Sequence, residues 1–152
     1  MNRVRQAERR DLETLQALHR RCLRHNYAPF LGTDAVAELI GSGEADAYIE
    51  DHLKRTMVLE FDFEPTGLCV CVGPNLALLI IEPERQGRGF GTLLLDRAET
   101  YLFGLYREIR TESDARNAHG NRFLRAHGWK AARRYTERRS KRPMVRFHKL
   151  RP

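Results

Sequence analysis

Three glycines, Gly87, Gly89 and Gly91, fall within five residues between an apolar run and an amphipathic segment. Because glycine has no Cβ atom, consecutive backbone N–H groups can converge there on one anion. The unpaired N–H groups at the start of a following helix add positive partial charge at the same point. Residues 86–91 therefore predict a phosphate-binding loop.

Two familiar phosphate loops fail on spacing. A nucleotide-hydrolase P-loop ends in Gly-Lys-Ser/Thr, whereas Gly91 is followed by Thr92 and Leu93. A dinucleotide fingerprint Gly-x-Gly-x-x-Gly counted from Gly87 needs a third glycine where the chain has Thr92. The loop therefore serves another phosphate ligand.

The loop resembles the coenzyme-A-binding motif Gln/Arg-x-x-Gly-x-Gly/Ala of the GNAT superfamily of N-acetyltransferases, which Gln86-Gly-Arg-Gly-Phe-Gly91 matches at every defined position. The flanks agree, with Glu82-Pro83 before the loop and Leu93-Leu94-Leu95 after it. The segment 117–129 is similar to the family's Asn-x-x-Ala-x-x-Leu-Tyr-x-x-x-Gly-Phe helix. The resemblance covers residues 56–135 and implies acetyl transfer from acetyl-CoA to a primary amine.

The resemblance also implies which residues hold acetyl-CoA. The backbone of the loop would bind the pyrophosphate, and the main chain of residues 79–81 would bind the pantetheine arm and the acetyl carbonyl. Asn117 would bond the pantetheine or the loop, although it could instead be a plain helix cap. Arg85 and Arg88 could pair with phosphates or face solvent. The expected cofactor-binding residues are Leu79, Ile80, Ile81, Gln86, Gly87, Arg88, Gly89, Phe90, Gly91, Thr92 and Asn117.

Acetyl transfer by direct attack of an amine needs a base for the amine proton, and an acid can protonate the leaving thiolate. Glu82 ends the predicted central strand beside the loop and is one candidate base. Glu112 lies in a Glu-Ser-Asp-Ala-Arg-Asn context similar to the Glu-Val-Arg-x-x-Asn of ribosomal-protein alanine acetyltransferases, and we favour it. Either carboxylate could instead be ion-paired or face solvent.

One position departs from the family pattern, because Leu124 stands where the family usually carries its acid tyrosine. Tyr135, His119, His127 or water could replace that acid, or the thiolate could leave unprotonated. Our predicted catalytic residues are therefore Glu112, Glu82 and Tyr135. Gly120 also departs from the usual alanine, at a cost of up to ~1 kcal/mol of helix stability.

The elements that must position these residues follow from hydrophobic periodicity. Asp11 is a plausible N-cap, and a short strand is expected around Val4. We predict helices at 11–26, 35–40, 44–54, 92–103 and 117–127, and strands at 57–61, 68–72, 76–81, 106–113, 129–137 and 144–150, with a turn at 62–67. The resemblance implies an α/β fold whose mostly antiparallel sheet of six to seven strands is flanked by about four helices and splayed between strands 76–81 and 106–113.

The length of 152 residues fits one domain. We expect acceptor-side helices in 1–55, the sheet and coenzyme A loop in 56–113, and the second motif helix with the terminal strands in 114–152. No apolar run approaches the ~20 residues that cross a bilayer. The N-terminus is charged where a signal peptide would be apolar, so we predict a cytoplasmic protein with no membrane partner.

Composition limits the remaining partners. Cys69 and Cys71 share one face of a strand without a second ligand pair, so we expect reduced thiols and no metal. The net charge of +7 suits a polyanion, but no nucleic-acid reader motif accompanies it, so nucleic acid is not the expected partner. The acidic segment 44–51 could attract a cationic amine. The sequence does not reveal the acceptor amine, the preferred acyl chain or whether the protein forms a homodimer. The alternative function is that of a non-catalytic acyl-CoA sensor.

Overall fold

The computed structural model describes residues 1–152 and contains one seven-stranded sheet with the order β1-β2-β3-β4-β5-β7-β6. Neighbouring strands run antiparallel except β4 and β5, which are parallel. The predicted mixed α/β fold with a mostly antiparallel sheet is therefore confirmed. The strands are β1 (Asn2–Gln6), β2 (Thr56–Phe61), β3 (Glu64–Val72), β4 (Asn75–Ile81), β5 (Glu108–Asp114), β6 (Lys130–Thr136) and β7 (Pro143–Leu150).

Helices cover both faces of the sheet. The buried residues Leu15, Leu18 and Ile49 of α1 and α4 pack on one face of the central strands, against Leu68 and Val70 of β3. Residues of α5 cover the opposite face. Successive residues of a strand point to opposite faces, and residues 66–71 of β3 are all buried, so β3 is covered on both sides. The helices are α1 (Leu12–Cys22), α2 (Ala28–Leu31), α3 (Thr33–Gly41), α4 (Glu44–Asp51), α5 (Phe90–Phe103) and α6 (Ala118–Ala126).

The first helix differs from its prediction at both ends. The carboxylate of Asp11 does not cap α1; it accepts two hydrogen bonds from Arg5, at 2.8 and 2.9 Å, and one from the Glu8 N–H at 2.7 Å. At the other end, α1 stops at Cys22 and a π-helical turn, Leu23–Tyr27, follows it. Such turns occur often at functional sites.

Other boundaries move by a few residues. The turn expected at 62–67 shrinks to Asp62 and Phe63, because β3 already begins at Glu64. A bulge next to Pro65 leaves Thr66 without a partner on β2. The missing N–H of a proline is tolerated at such a bulge. Helix α5 begins at Phe90, two residues before its prediction. The expected strand 106–113 is β5, which starts later because the Tyr106 N–H still bonds Leu102 O of α5 at 2.8 Å.

The predicted separation between β4 and β5 is confirmed. Their ladder consists of the single pair Asn75 and Arg110, next to a bond from the Arg110 N–H to Pro74 O at 3.0 Å. The Thr111 hydroxyl adds one bond to Leu76 O at 2.6 Å. Beyond that point the strands diverge and leave a cavity between them. None of the helices has the length and apolar character needed to cross a membrane.

Candidate active site

A cavity of about 320 Å³ lies between the start of α5 and the opening in the sheet. Its walls come from the π turn, the end of β4, the glycine loop and the start of α6. Nine of the eleven predicted cofactor-binding residues line it: Leu79, Ile80, Ile81, Gln86, Gly87, Gly89, Gly91, Thr92 and Asn117. The apolar strand and the glycine loop therefore meet at one site, as a ligand with a diphosphate and a long arm requires.

The glycine loop has the geometry of an anion cradle. Gly87 and Gly89 have φ angles of 77° and 86°, which side chains rarely adopt, and the space where a Cβ would stand is open at both. The first helical bond of α5 runs from the Leu93 N–H to Gly89 O at 3.1 Å. The three preceding N–H groups of the first turn have no helical acceptor and can face an anion.

The two remaining predicted cofactor residues do not line the cavity. The side chain of Phe90 is buried in the core with its ring 5.1 Å from that of Phe61, so only its main chain can serve a ligand. Arg88 is exposed. Arg85 is also outside the lining, because its guanidinium lies over Phe61 and donates to Glu64 at 2.8 Å.

The side chain of Gln86 ties the loop to the π turn. Its Nε2 donates to Asn26 Oδ1 at 2.8 Å, and its Oε1 accepts from Asn26 Nδ2 at 3.1 Å. Gln86 Nε2 also donates to Ile81 O at 3.0 Å, and the thiol of Cys22 donates to the same carbonyl at 3.2 Å. The Ile81 carbonyl therefore already accepts two hydrogen bonds from side chains of the protein.

Asn117 has the capping role considered from sequence, and one group of its side chain remains open. Its Oδ1 accepts the Gly120 N–H at 3.0 Å and caps α6, whereas its Nδ2 bonds no protein group beside the cavity. A Cβ atom at position 120 would lie 2.6 Å from that Nδ2. Glycine at this unusual position therefore makes room for the amide of Asn117.

Two histidines proposed as substitutes for the missing acid differ in position. His127 Nδ1 lies 2.8 Å from Phe123 O, which only accepts, so Nδ1 carries the proton and Nε2 accepts the Thr92 hydroxyl at 3.1 Å. Both ring nitrogens of His127 are therefore occupied, and His127 lines neither cavity. His119 lines the larger cavity.

A smaller cavity of about 120 Å³ fills the space between β4 and β5. It includes Glu112 on one wall and Leu124 on another. Five residues line both cavities: Tyr27, Leu79, Asn117, Gly120 and Phe123. Because these residues are shared, the two cavities are adjacent, with the glycine loop on the wall of the larger one and Glu112 on the wall of the smaller one.

The carboxylate of Glu112 is held by two partners. The Tyr135 hydroxyl donates to Oε2 at 2.7 Å, and Arg146 Nε donates to Oε1 at 2.8 Å. Partial burial and the bond to Glu112 raise the pKa of Tyr135 to about 12. Tyr135 lines neither cavity, so it is linked to the smaller one only through Glu112.

The other candidate base, Glu82, has a different environment. Its carboxylate accepts three hydrogen bonds from the guanidinium of Arg21, at 2.9, 3.1 and 2.6 Å, and it lines neither cavity. The structure therefore places Glu112, and not Glu82, on the wall of a cavity.

Two of the four carboxylates of the acidic helix α4 are paired within the protein. Asp46 accepts from Arg20 at 2.6 and 2.7 Å, and Glu50 accepts from Arg9 at 2.8 Å. Both arginines lie in the N-terminal part of the chain, outside the cavity. No group of three or more His, Cys, Asp or Glu side chains is arranged to hold a metal ion.

Sequence reasoning missed two residues of the site, Asn26 and Tyr27. Both line the larger cavity from the π turn. Their only signal was that the helical spacing of apolar residues ends before them, just ahead of Pro29. That signal marks the end of a helix but does not indicate where the side chains go.

Comparison with known proteins agrees with this geometry. The profile of the Acetyltransferase (GNAT) family matches residues 7–129. No curated protein matches the sequence. The fold is similar to that of a GCN5-related N-acetyltransferase from Rhodopseudomonas palustris, with a TM-score of 0.85, 17% identity, and 99% of this chain and 96% of that chain covered.

Two further similar structures were solved with coenzyme A ligands. The PaiA N-acetyltransferase from Thermoplasma acidophilum, in complex with coenzyme A, has a TM-score of 0.77 and 19% identity over 96% of this chain and 98% of its own. YncA from Salmonella typhimurium, with its cofactor acetyl-CoA, has a TM-score of 0.72 and 14% identity over 99% of this chain and 94% of its own.

Proposed function

Because the chain belongs to the GNAT acetyltransferase family, we propose that it transfers an acetyl group from acetyl-CoA to a primary amine of a small molecule or a protein. The amine would attack the thioester carbonyl directly. Acetyl-CoA would act as co-substrate, and no metal is needed for this reaction. The acetyl-CoA and coenzyme A complexes of similar folds support the choice of cofactor.

The observation that carries the proposal is the opening between β4 and β5. Their ladder ends after Asn75 and Arg110, and two adjacent cavities lie at the opening, one lined by the glycine loop and the other by Glu112. A diphosphate in the loop would place an extended arm along Leu79 and Ile80, because that strand forms the wall of the cavity. The thioester would then lie beside the residues that line both cavities.

Within this site, Glu112 is our proposed base. An amine entering the smaller cavity would approach a carboxylate that Tyr135 and Arg146 already hold in place. A positioned carboxylate within hydrogen-bonding reach can take the amine proton as the new bond forms. Glu82 is bound to Arg21 outside both cavities, and we assign it no direct role.

The proposal is tested first by ligand binding. Thermal unfolding should be measured with acetyl-CoA, longer acyl-CoAs and free coenzyme A, where ligand at ~100 times its Kd stabilises the fold by about 3 kcal/mol. Release of free thiol should then be followed across a panel of small amines and peptide N-termini. No thermal shift with any coenzyme A species would overturn the proposal.

A non-catalytic acyl-CoA sensor is the second candidate, and one observation favours it. Leu124 lines the smaller cavity at the position where the resemblance leads us to expect a tyrosine. A sensor would bind acetyl-CoA but release no thiol with any amine. Steady-state thiol release that depends on the amine concentration would exclude it.

The acceptor amine and the location of the protein in the cell are also part of the proposal. The carboxylates of Asp46 and Glu50 are paired with arginines, so they give no support to a polycationic amine. We place the protein in the cytoplasm, because its three cysteines are free and buried.

A further inference from the structure

Tyr27 lines both cavities. Of the five residues that line both, it is the only one with a hydroxyl or an ionisable group. Leu79, Gly120 and Phe123 offer no polar side chain, and the oxygen of Asn117 is already bonded to the Gly120 N–H. Among the side chains that line both cavities, the Tyr27 hydroxyl and the Asn117 Nδ2 group are therefore the two polar groups open to a ligand.

The hydroxyl of Tyr27 bonds no group of the protein, although the residue is half-buried. Burial, followed by the nearby thiol of Cys22, raises the pKa of Tyr27 to about 12, against a smaller opposite effect of Arg142. The phenol is therefore a neutral donor at physiological pH. A donor without a protein partner beside a cavity is available to a ligand.

The position of Tyr27 is fixed by its neighbours. It ends the π turn, and its ring packs against Phe30 with the centroids 5.4 Å apart. The preceding residue, Asn26, is fastened to Gln86 by two reciprocal bonds of 2.8 and 3.1 Å. Gln86 thus connects the diphosphate loop to the segment that carries Tyr27.

We propose that the hydroxyl of Tyr27 donates a hydrogen bond to the sulfur of coenzyme A as the thioester bond breaks. The inference rests on the proposed function, because that proposal places the thioester beside the residues that line both cavities. Glu112 lines only the smaller cavity, where the amine approaches, whereas Tyr27 also lines the cavity that would hold the pantetheine arm. The two residues therefore serve opposite sides of the reacting carbon.

The step balances without a proton from Tyr27. The amine nitrogen forms a bond to the carbonyl carbon, and its proton passes to the Glu112 carboxylate. The carbon–sulfur bond breaks, and its electron pair stays on the sulfur, which leaves as a thiolate. Because a thiol is more acidic than this phenol, Tyr27 keeps its proton and stabilises the developing charge through the hydrogen bond.

The test measures the ionisation of the thiol in the bound state. Wild-type protein and Tyr27→Phe are saturated with coenzyme A, and the thiolate absorbance is followed against pH, with desulfo-coenzyme A complexes as background. Loss of the bond should raise the pKa of the bound thiol by about one unit. The protein's own Cys22 does not interfere, because burial raises its pKa to about 12.

Binding measurements separate this role from packing. Tyr27→Phe should keep the wild-type affinity for desulfo-coenzyme A, which has no sulfur to accept the bond. Tyr101→Phe, at an exposed position on α5, is the matched control and should leave both the thiol pKa and the affinity unchanged. With an amine found by the thiol-release screen, Tyr27→Phe should lower kcat by ~100-fold at an unchanged KM for the amine.

Three outcomes decide between the claims. An equal thiol pKa in wild type and Tyr27→Phe would overturn the inference and leave the proposed function standing. Loss of affinity for desulfo-coenzyme A in Tyr27→Phe would show a packing role and would also overturn it. Failure of the wild-type protein to bind any coenzyme A species would remove the proposed function itself.

Discussion

Tyr135 and Glu112 form one unit, because the Tyr135 hydroxyl donates to Glu112 Oε2 at 2.7 Å. Sequence reasoning treated them as separate candidates for the acid and the base. In the structure Tyr135 stands behind the carboxylate, on β6, and lines neither cavity. Its hydroxyl can orient the carboxylate, but another group must meet the departing thiolate.

The first prediction concerns the base. Glu112→Gln should lower kcat by ~100-fold, because the amide cannot accept the amine proton. The affinity for coenzyme A should stay unchanged, since Glu112 does not line the larger cavity. The measurement is thiol release at saturating acetyl-CoA, with calorimetry for the affinity.

Glu82→Gln is the matched control for that prediction. It removes a carboxylate of the same size that is paired with Arg21 outside both cavities, so kcat should change little. If Glu82→Gln lost the activity and Glu112→Gln kept it, the assignment of the base would be reversed.

The sequence predicted the parts of this site that depend on local pattern. The glycine loop, the apolar run of β4 and the capping role of Asn117 follow from residues that are close in the chain. Their physical causes, namely backbone conformation, alternation of side chains and unpaired N–H groups, act over a few residues. Element boundaries moved by only a few positions for the same reason.

What the sequence could not predict depends on distant pairs. Asn26 and Gln86 are separated by 60 positions, and Arg21 and Glu82 by 61. A π turn also leaves the apolar spacing of α1 unchanged, so periodicity could not place Tyr27 beside the loop. These contacts exist only because α1 packs across the end of β4, which is a tertiary relationship.

The second prediction concerns Gly120. Gly120→Ala replaces a poor helix former inside α6, which by propensity alone would stabilise the helix by up to ~1 kcal/mol. However, the new Cβ would lie 2.6 Å from Asn117 Nδ2, so the Asn117 side chain must move. We expect no gain in stability and a ~10-fold loss of affinity for coenzyme A. The loss corresponds to one hydrogen bond between uncharged groups, the one from Asn117 Nδ2 to the ligand. Calorimetric titration and thermal unfolding measure the two effects.

Gly41→Ala provides the comparison for Gly120→Ala. Gly41 ends α3, and a Cβ there meets nothing within 4 Å. This variant should gain helix stability and bind coenzyme A as the wild type does. Equal behaviour of the two variants would show that the contact with Asn117 has no consequence.

The third prediction concerns acid stability. Asp114 is buried at the end of β5 and accepts bonds from Arg116 at 2.8 and 2.9 Å and from Arg142 at 2.9 Å. Burial alone would raise the pKa of Asp114, but the bonds from these two arginines outweigh it and lower the pKa to about 2. In the unfolded chain the pKa returns to about 3.9.

The depressed folded-state pKa determines the pH window. The stabilisation by Asp114 is fully present above pH ~4 and is lost as the pH falls toward ~2. This loss lowers the free energy of unfolding by roughly 2 kcal/mol. Chemical denaturation of wild type and Asp114→Asn should therefore diverge at neutral pH and converge near pH ~2. Parallel curves over the whole range would contradict the assignment.

The fourth prediction concerns the reciprocal amide pair of Asn26 and Gln86. If Gln86 acts on the ligand mainly by holding the π turn, then Asn26→Ala and Gln86→Ala should each weaken coenzyme A binding, by ~5-fold for loss of about 1 kcal/mol of hydrogen bonding. The double variant should be little worse than either single variant, because both remove the same contact. Calorimetric affinities of the three variants close the cycle. Additive losses would mean that Gln86 contacts the ligand independently of Asn26. The structural link between the glycine loop and Tyr27 would then depend on the bond from Gln86 Nε2 to Ile81 O.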